Sequence, residues 1–319
     1  MSWRARTVWD RVRAGAPAEA SARVPSRGLR RLLRAGEVVL FLAPFAAFWL
    51  LFRLGPVLYG VGISLYRWDP LGDVQFVGVS NYLRLAADPR FWNALRNTLA
   101  FAALTVPGIL ALGVGLALTL FAYRGRPATR WVEAAFFFPY LLTVSVVGMV
   151  WRWLLDPDFG AVLLALRSLG LRPPVFLNEP GWALPSIAFA TAWWLAGYRM
   201  VIFRAALEDI PEEIFDAAKV DGATGWRLLR SVLLPLLKPA ALFALVLTGI
   251  SGFIVFGQVL IMTAGGPGRA SEVLALYLYR FGFEYLEMGQ AAAVGVVIFA
   301  LILSLTLLSF RWLGYGSAG

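Results

Sequence analysis

Six continuously apolar stretches organise this chain, running from Val38 to Leu58, Thr98 to Ala122, Trp131 to Leu154, Trp182 to Phe203, Ala240 to Thr263 and Gln290 to Phe310. Each is close to the roughly 20 residues a helix needs to cross a bilayer. None shows the alternation of apolar and polar residues that marks a membrane strand, and a helix satisfies its own backbone groups in lipid. The pattern therefore predicts an all-α membrane protein with six transmembrane helices. With 60% hydrophobic and 15% charged residues, the chain falls well below the roughly one-quarter charged fraction of a soluble domain.

What the chain lacks narrows its chemistry. It has no Cys and no His, which removes disulfides, thiol nucleophiles, imidazole bases and most zinc sites. All 19 acidic residues lie outside the six runs or, like Glu133, at their inner edges. Proton-driven carriers depend on an intramembrane acid or histidine, so the sequence reads against a secondary transporter, and the energy for any transport is expected from another protein. An intramembrane enzyme is disfavoured too, because the Ser and Tyr residues of the runs have no base or ligand set beside them.

The formal charge of +10 reads as topology rather than as a nucleic-acid footprint, because the basic residues sit between the apolar runs. Eighteen fall on the side of the N-terminus and nine on the other, which places both termini in the cytoplasm. Residues 1–36, with nine Arg, read as a cytoplasmic arm, and 37–319 as the six-helix domain. Arg53 is expected to snorkel from a helix end. Arg199 lies deeper in the fourth run, and its role is open between interface anchoring and a pathway.

The longest inner connection, residues 204–238, holds Glu208, Asp209, Glu212, Glu213, Asp216 and Asp221. Asp209, Pro211 and Glu212 have the spacing of a helix N-terminus with Asp209 as cap. Ile210, Ile214, Ala217 and Ala218 recur at helical spacing as one narrow apolar face. Gly222 suits a left-handed stop, and a second short helix is expected from Thr224 through Trp226, Leu229 and Val232 up to Pro235 and Pro239. Amphipathic helices that lie on membranes carry basic polar faces, whereas this one is acidic and is repelled by anionic headgroups. The segment reads as a knob that docks on a protein.

Asp216-Ala217-Ala218, Gly222 and Val232-Leu233-Leu234-Pro235, at this spacing, resemble the EAA loop of importer permeases of the ATP-binding cassette superfamily, with Asp for the usual Glu and Val for the usual Ile. Phe76-Val77-Gly78, Asn81-Tyr82, the stretch from Phe91 to Thr98, Ile210-Pro211-Glu212-Glu213 and Gly265-Gly266-Pro267 after Thr263 are similar to segments of the carbohydrate-uptake subfamily, the maltose and glycerol-3-phosphate type above all. The resemblance implies the type I ABC importer permease fold, with a core of five helices and an additional first one, in the prokaryotic inner membrane. It also implies partners: a homologous second permease, two ATPase subunits that bind ATP and Mg, and an extracytoplasmic solute-binding protein. Asp216, Ala217, Ala218, Asp221 and Gly222 would form the contact with the ATPase. The chain itself has no GxxxxGK[ST] phosphate loop, so no cofactor is expected in it.

Sugar-binding groups are expected among polar and aromatic residues of the spans, since ring faces suit sugar rings and hydroxyls or amides suit sugar hydroxyls. The candidates are Tyr140, Thr143 and Ser145 in the third span, Trp193, Trp194 and Tyr198 in the fourth, and Thr248, Ser251 and Gln258 in the fifth. Each has a competing role in helix packing or interface anchoring. Tyr140, after Pro139, also resembles a sugar-contacting position of the maltose-type subunit. Amino acid, polyamine or phosphate uptake stays open, because the coupling loop is shared across the superfamily.

Overall fold

The computed structural model describes residues 39–312, and the Arg-rich arm lies outside them. The chain divides at Leu58 into two compact units. The first carries most of an apolar helix, α1 (Val39–Ile63). A π-turn at Leu50–Leu54 holds Arg53 in its last turn.

The second unit begins with a hairpin of β1 (Tyr66–Trp68) and β2 (Val74–Phe76), paired antiparallel with Tyr66 opposite Phe76. Helix α2 (Ser80–Ala87) follows. Asn81 fixes the hairpin to it by donating from Nδ2 to the Ser64 and Tyr66 carbonyls at 2.7 and 2.8 Å, and the Tyr82 hydroxyl meets Ser64 Oγ at 2.7 Å. The next helix, α3 (Pro89–Ala122), starts well before the apolar run at Thr98. Its N-terminus is set by Asp88, whose carboxylate accepts from the Arg90 N–H, and by Pro89 in the first turn.

The third apolar run does not form a straight helix. Helix α4 (Pro127–Phe137) tightens into a 3-10 turn at Phe138–Leu141, and α5 (Val144–Leu154) leaves at 102° to it. Thr143 caps α5, its hydroxyl accepting from the Val146 N–H at 3.4 Å. A short α6 (Ala161–Ser168) leads to α7 (Pro180–Glu208). Then come α8 (Glu212–Val220), α9 (Gly225–Leu236) and α10 (Lys238–Phe253), the last two meeting at a 66° bend. The tail of the fifth run separates as α11 (Gly257–Met262), followed by α12 (Leu274–Tyr279) and α13 (Met288–Trp312). Among the described residues four helices are long and apolar enough to span a membrane alone, and up to six spans result when each bent pair counts as one.

Helices α3 and α7 form the centre, crossing so closely that a Cβ on Gly113 would lie 2.8 Å from Arg199 Cβ. A Cβ on Gly197 would collide with the Phe136 carbonyl oxygen, so α7 also presses on the backbone of α4. Gly249, Gly252 and Gly257 likewise sit against Leu305, Val106 and Val144, the close helix approach that small residues permit in lipid. Gly108 and Gly115 meet nothing within 4 Å.

Polar contacts gather at two ends of the second unit. At one end Asn93 and Asn97 donate to the Arg269 carbonyl, Asn97 also donates to the Glu272 carbonyl, and Thr98 Oγ1 accepts from the Leu274 N–H. The Phe91 to Thr98 segment thus docks the loop that follows Gly265-Gly266-Pro267. The fully buried Glu272 is surrounded there by Arg90 at 3.5 Å, Arg269 at 4.0 Å and Arg280. Tyr277 donates to Asp88 at 2.7 Å, and burial together with that acceptor holds its phenol well above the usual range. At the other end Arg204 bridges Glu133 and Glu208, and Arg124 faces Glu212 at 3.8 Å.

Candidate functional site

The acidic connection folds as a helical knob on the ends of α3 and α7. Asp209 does not cap α8, contrary to the expectation from spacing. Its backbone is still helical and closes the last turn of α7, while Pro211 occupies the N-cap of α8 without a side-chain hydrogen bond. Glu212 and Glu213 in the first turn of α8 and Lys219 in the last match the helix dipole. The stop is a Schellman motif. Ala223 N–H donates to the Ala218 carbonyl at 2.8 Å and Gly222 N–H to Lys219 at 3.0 Å, with Gly222 at φ +68°.

Packing decides which face of α8 is free. Phe215 stacks on Phe121 with ring centroids 5.6 Å apart, and the Arg124 guanidinium lies 4.4 Å from the Phe121 ring and 5.8 Å from Phe215. Phe215 and Ile210 join the cluster of Leu207, Leu233 and Leu237. Ala218 is 6% exposed and covered by the chain itself. Asp216, Ala217, Asp221 and Gly222 remain exposed. The inward face is thus Ile210, Phe215 and Ala218, whereas Ile214 and Ala217 point out. Sequence reasoning missed two exposed apolar groups beside them, Val220 at 88% and Trp226 at 70%. Their signal was available, since both fall off the inward face of short helices. The Asp216 to Lys219 pair, 2.8 Å apart and exposed on both sides, contributes little to stability.

The candidates in the spans divide into groups. Tyr140 and Tyr198 stack face to face at 4.5 Å with planes 7° apart. Arg199 lies beneath Tyr198, its Cζ 4.9 Å from the ring, and donates from Nε to Thr248 Oγ1 at 2.7 Å. Tyr140, Tyr198 and Thr248 thus converge, with the addition of Arg199. Trp194 packs in the same cluster as Tyr140 and donates from Nε1 to the Leu142 carbonyl at 3.2 Å, satisfying a backbone group freed at the α4–α5 break. Trp193 stands apart, edge-on to Trp151. Thr143, Ser145 and Gln258 belong to the junction where Gly257 at the start of α11 meets Val144. Ser251 donates back to the Leu247 carbonyl of its own helix at 3.0 Å. Among the described residues no group of His, Cys, Asp and Glu is arranged to hold a metal.

Residues 109–315, more than half the chain and including the knob, match the family described as "Binding-protein-dependent transport system inner membrane component". The chain belongs to this family. The permease is 32% identical over 277 residues to the "Sulfoquinovosyl glycerol transport system permease protein SmoG" of Agrobacterium fabrum, covering 86% of the chain and 89% of the relative. It is 33% identical over 290 residues to the "sn-glycerol-3-phosphate transport system permease protein UgpA" of Rhizobium meliloti, covering 90% and 95%. Its fold matches a chain of the bacterial alginate ABC transporter in complex with an alginate pentasaccharide-bound periplasmic protein, at 22% identity and TM-score 0.77 over 88% of the permease and 95% of that chain. The permease therefore has the all-α, multi-pass type I importer fold. It is a membrane subunit of a carbohydrate-type ABC importer, with the transport role of its family rather than a catalytic one.

Proposed function

We propose that this permease forms one half of a translocation pathway for a sugar or sugar-like solute and couples it to cytoplasmic ATPase subunits through α8. A homologous second permease supplies the other half, and an extracytoplasmic binding protein delivers the solute. Both termini and α8 then lie in the cytoplasm, residues 1–36 as an arm and 37–319 as the permease domain, with 204–238 as the coupling segment.

One observation carries the coupling role: Asp216, Ala217, Val220, Asp221 and Gly222 form an exposed, small-residue and acidic surface on a helix anchored by Phe215 to Phe121 of α3 and by Glu212 to Arg124 just beyond it. Small side chains admit close approach of a partner, and the anchored side transmits displacement into the spans. The names of two relatives, for a sulfoquinovosyl glycerol and for sn-glycerol-3-phosphate, support a polar polyol or glycoside as solute. The stacked Tyr140 and Tyr198 offer a platform for such a ring. Reconstitution with the partner subunits tests the reading. Uptake of a glycoside or polyol that requires ATP and the binding protein is expected, and uptake restricted to amino acids contradicts the solute class.

A further inference from the structure

Among the described residues Arg199 is a buried cation without a counterion. It is 3% exposed in the middle of α7, yet among the described residues it enters no ion pair, while Arg84, Arg90, Arg124, Arg204, Arg269 and Arg280 each face a carboxylate. Its Nε donates to Thr248 Oγ1 at 2.7 Å, and that hydroxyl spends its own proton on the Ala244 carbonyl at 2.6 Å. Thr248 is thereby held as a neutral acceptor that orients the guanidinium without neutralising it. Nη1 and Nη2 have no acceptor among the described residues. Among the described residues the Tyr198 face is set over the charge, itself stacked on Tyr140.

A guanidinium stays protonated at any physiological pH, and burying it unpaired in a membrane protein is strongly unfavourable. Such residues mark substrate or ion pathways more often than packing positions. The geometry here suits that role. The planar fork of Nη1 and Nη2 is left for a bidentate oxyanion, and the half-buried tyrosine stack beside it suits a sugar or polyol skeleton.

We propose that Arg199, oriented by Thr248, binds the acidic group of the transported solute, so that the importer selects anionic sugar or polyol derivatives bearing a phosphate, sulfonate or carboxylate. The inference rests on the proposed function and refines its substrate. Tyr198 and Tyr140 hold the uncharged part of the solute, and its charged group supplies the counterion that Arg199 lacks among the described residues.

The test uses the complete importer in proteoliposomes and reads the ratio of ATP-driven uptake of a charged probe to that of its uncharged counterpart: glycerol 3-phosphate against glycerol, and glucuronate against glucose. A ratio of about 100 or more is expected for the native assembly, given the loss that follows removal of one partner of a buried charge pair. Arg199→Gln should bring it close to one, and Arg199→Lys, which keeps the charge but loses the fork, should leave an intermediate value. Because the quotient is taken within one preparation, poor folding lowers both terms and leaves it unmoved. If Arg199→Gln imports neither probe, Thr248→Val decides, since loss of orientation should lower the same ratio. A native ratio near one, or a ratio unchanged in Arg199→Gln or Thr248→Val, overturns the inference. Arg199-dependent import of inorganic phosphate in preference to both organic anions would instead refute the sugar-like solute while upholding anion selection. Absence of ATP-driven uptake of every probe refutes the proposed function and the inference with it.

Discussion

Single residues set the shape of the acidic knob proposed to couple to the ATPase. Gly222 holds φ +68° at the C′ position of α8, where a β-branched side chain costs about 1–3 kcal/mol of backbone strain. Gly222→Val is expected to leave membrane insertion intact and to abolish ATP-driven uptake, both measured in the same vesicles; unchanged uptake contradicts the role of the cap. Phe215 is half-buried against Phe121, with the Arg124 guanidinium near both rings. Phe215→Ala should therefore loosen α8 by roughly 1–2 kcal/mol. The expected readout is ATP hydrolysis that continues in the assembled importer while uptake per ATP falls, and a proportional loss of both contradicts it. Gly222 was legible in the sequence because left-handed backbone has few occupants. The burial of Ala218 was not, since the spacing of Ile210, Ile214, Ala217 and Ala218 suggests a different inward face, and only the docking of Phe215 on Phe121 fixes the rotation of α8.

At the scale of elements, the spans were readable from hydropathy and their breaks were not. The run from Trp131 to Leu154 is apolar without interruption, yet it turns by 102° after a 3-10 segment. Hydropathy measures where a segment is soluble and is blind to its direction. Pro139, which cannot donate a helical hydrogen bond, was the local signal. The break is supported by Trp194, which donates to Leu142, and by Gly197, which lets α7 reach Phe136. Gly197→Ala should overpack this contact and lower stability by about 1–3 kcal/mol, seen as a lower melting temperature in detergent; an unchanged melting temperature contradicts the close approach. The short strings Asn81-Tyr82 and Asn93 to Thr98, which in the sequence carried only a family resemblance, prove to be the hydrogen bonds that tie the hairpin to α2 and the Gly-Gly-Pro loop to α3. Asn97→Leu leaves the buried Glu272 carbonyl without that donor and is expected to cost about 1–3 kcal/mol on the same thermal measurement.

For the whole molecule, the arrangement separates a membrane bundle whose apolar runs hold carboxylates at most at their edges from an acidic knob with one exposed face, the face proposed above to meet the ATPase. On the proposed function, work enters through α8 and passes along Phe215 into α3, which is packed on α7 at Gly113, and Arg204 ties α7 to α4. Purified alone, the permease is expected to hydrolyse no ATP, and turnover without partner subunits would contradict the division of labour. Because the chain contains no cysteine, Ala217→Cys introduces a single thiol on the exposed face of α8. The most direct measurement is thiol cross-linking from this position in membranes that hold the complete importer. The account predicts a cross-link to an ATP-hydrolysing subunit, formed from the cytoplasmic side and blocking uptake. Labelling of the same thiol by an impermeant reagent from the outer face, or no cross-link to the ATPase at any stage of the cycle, would contradict it.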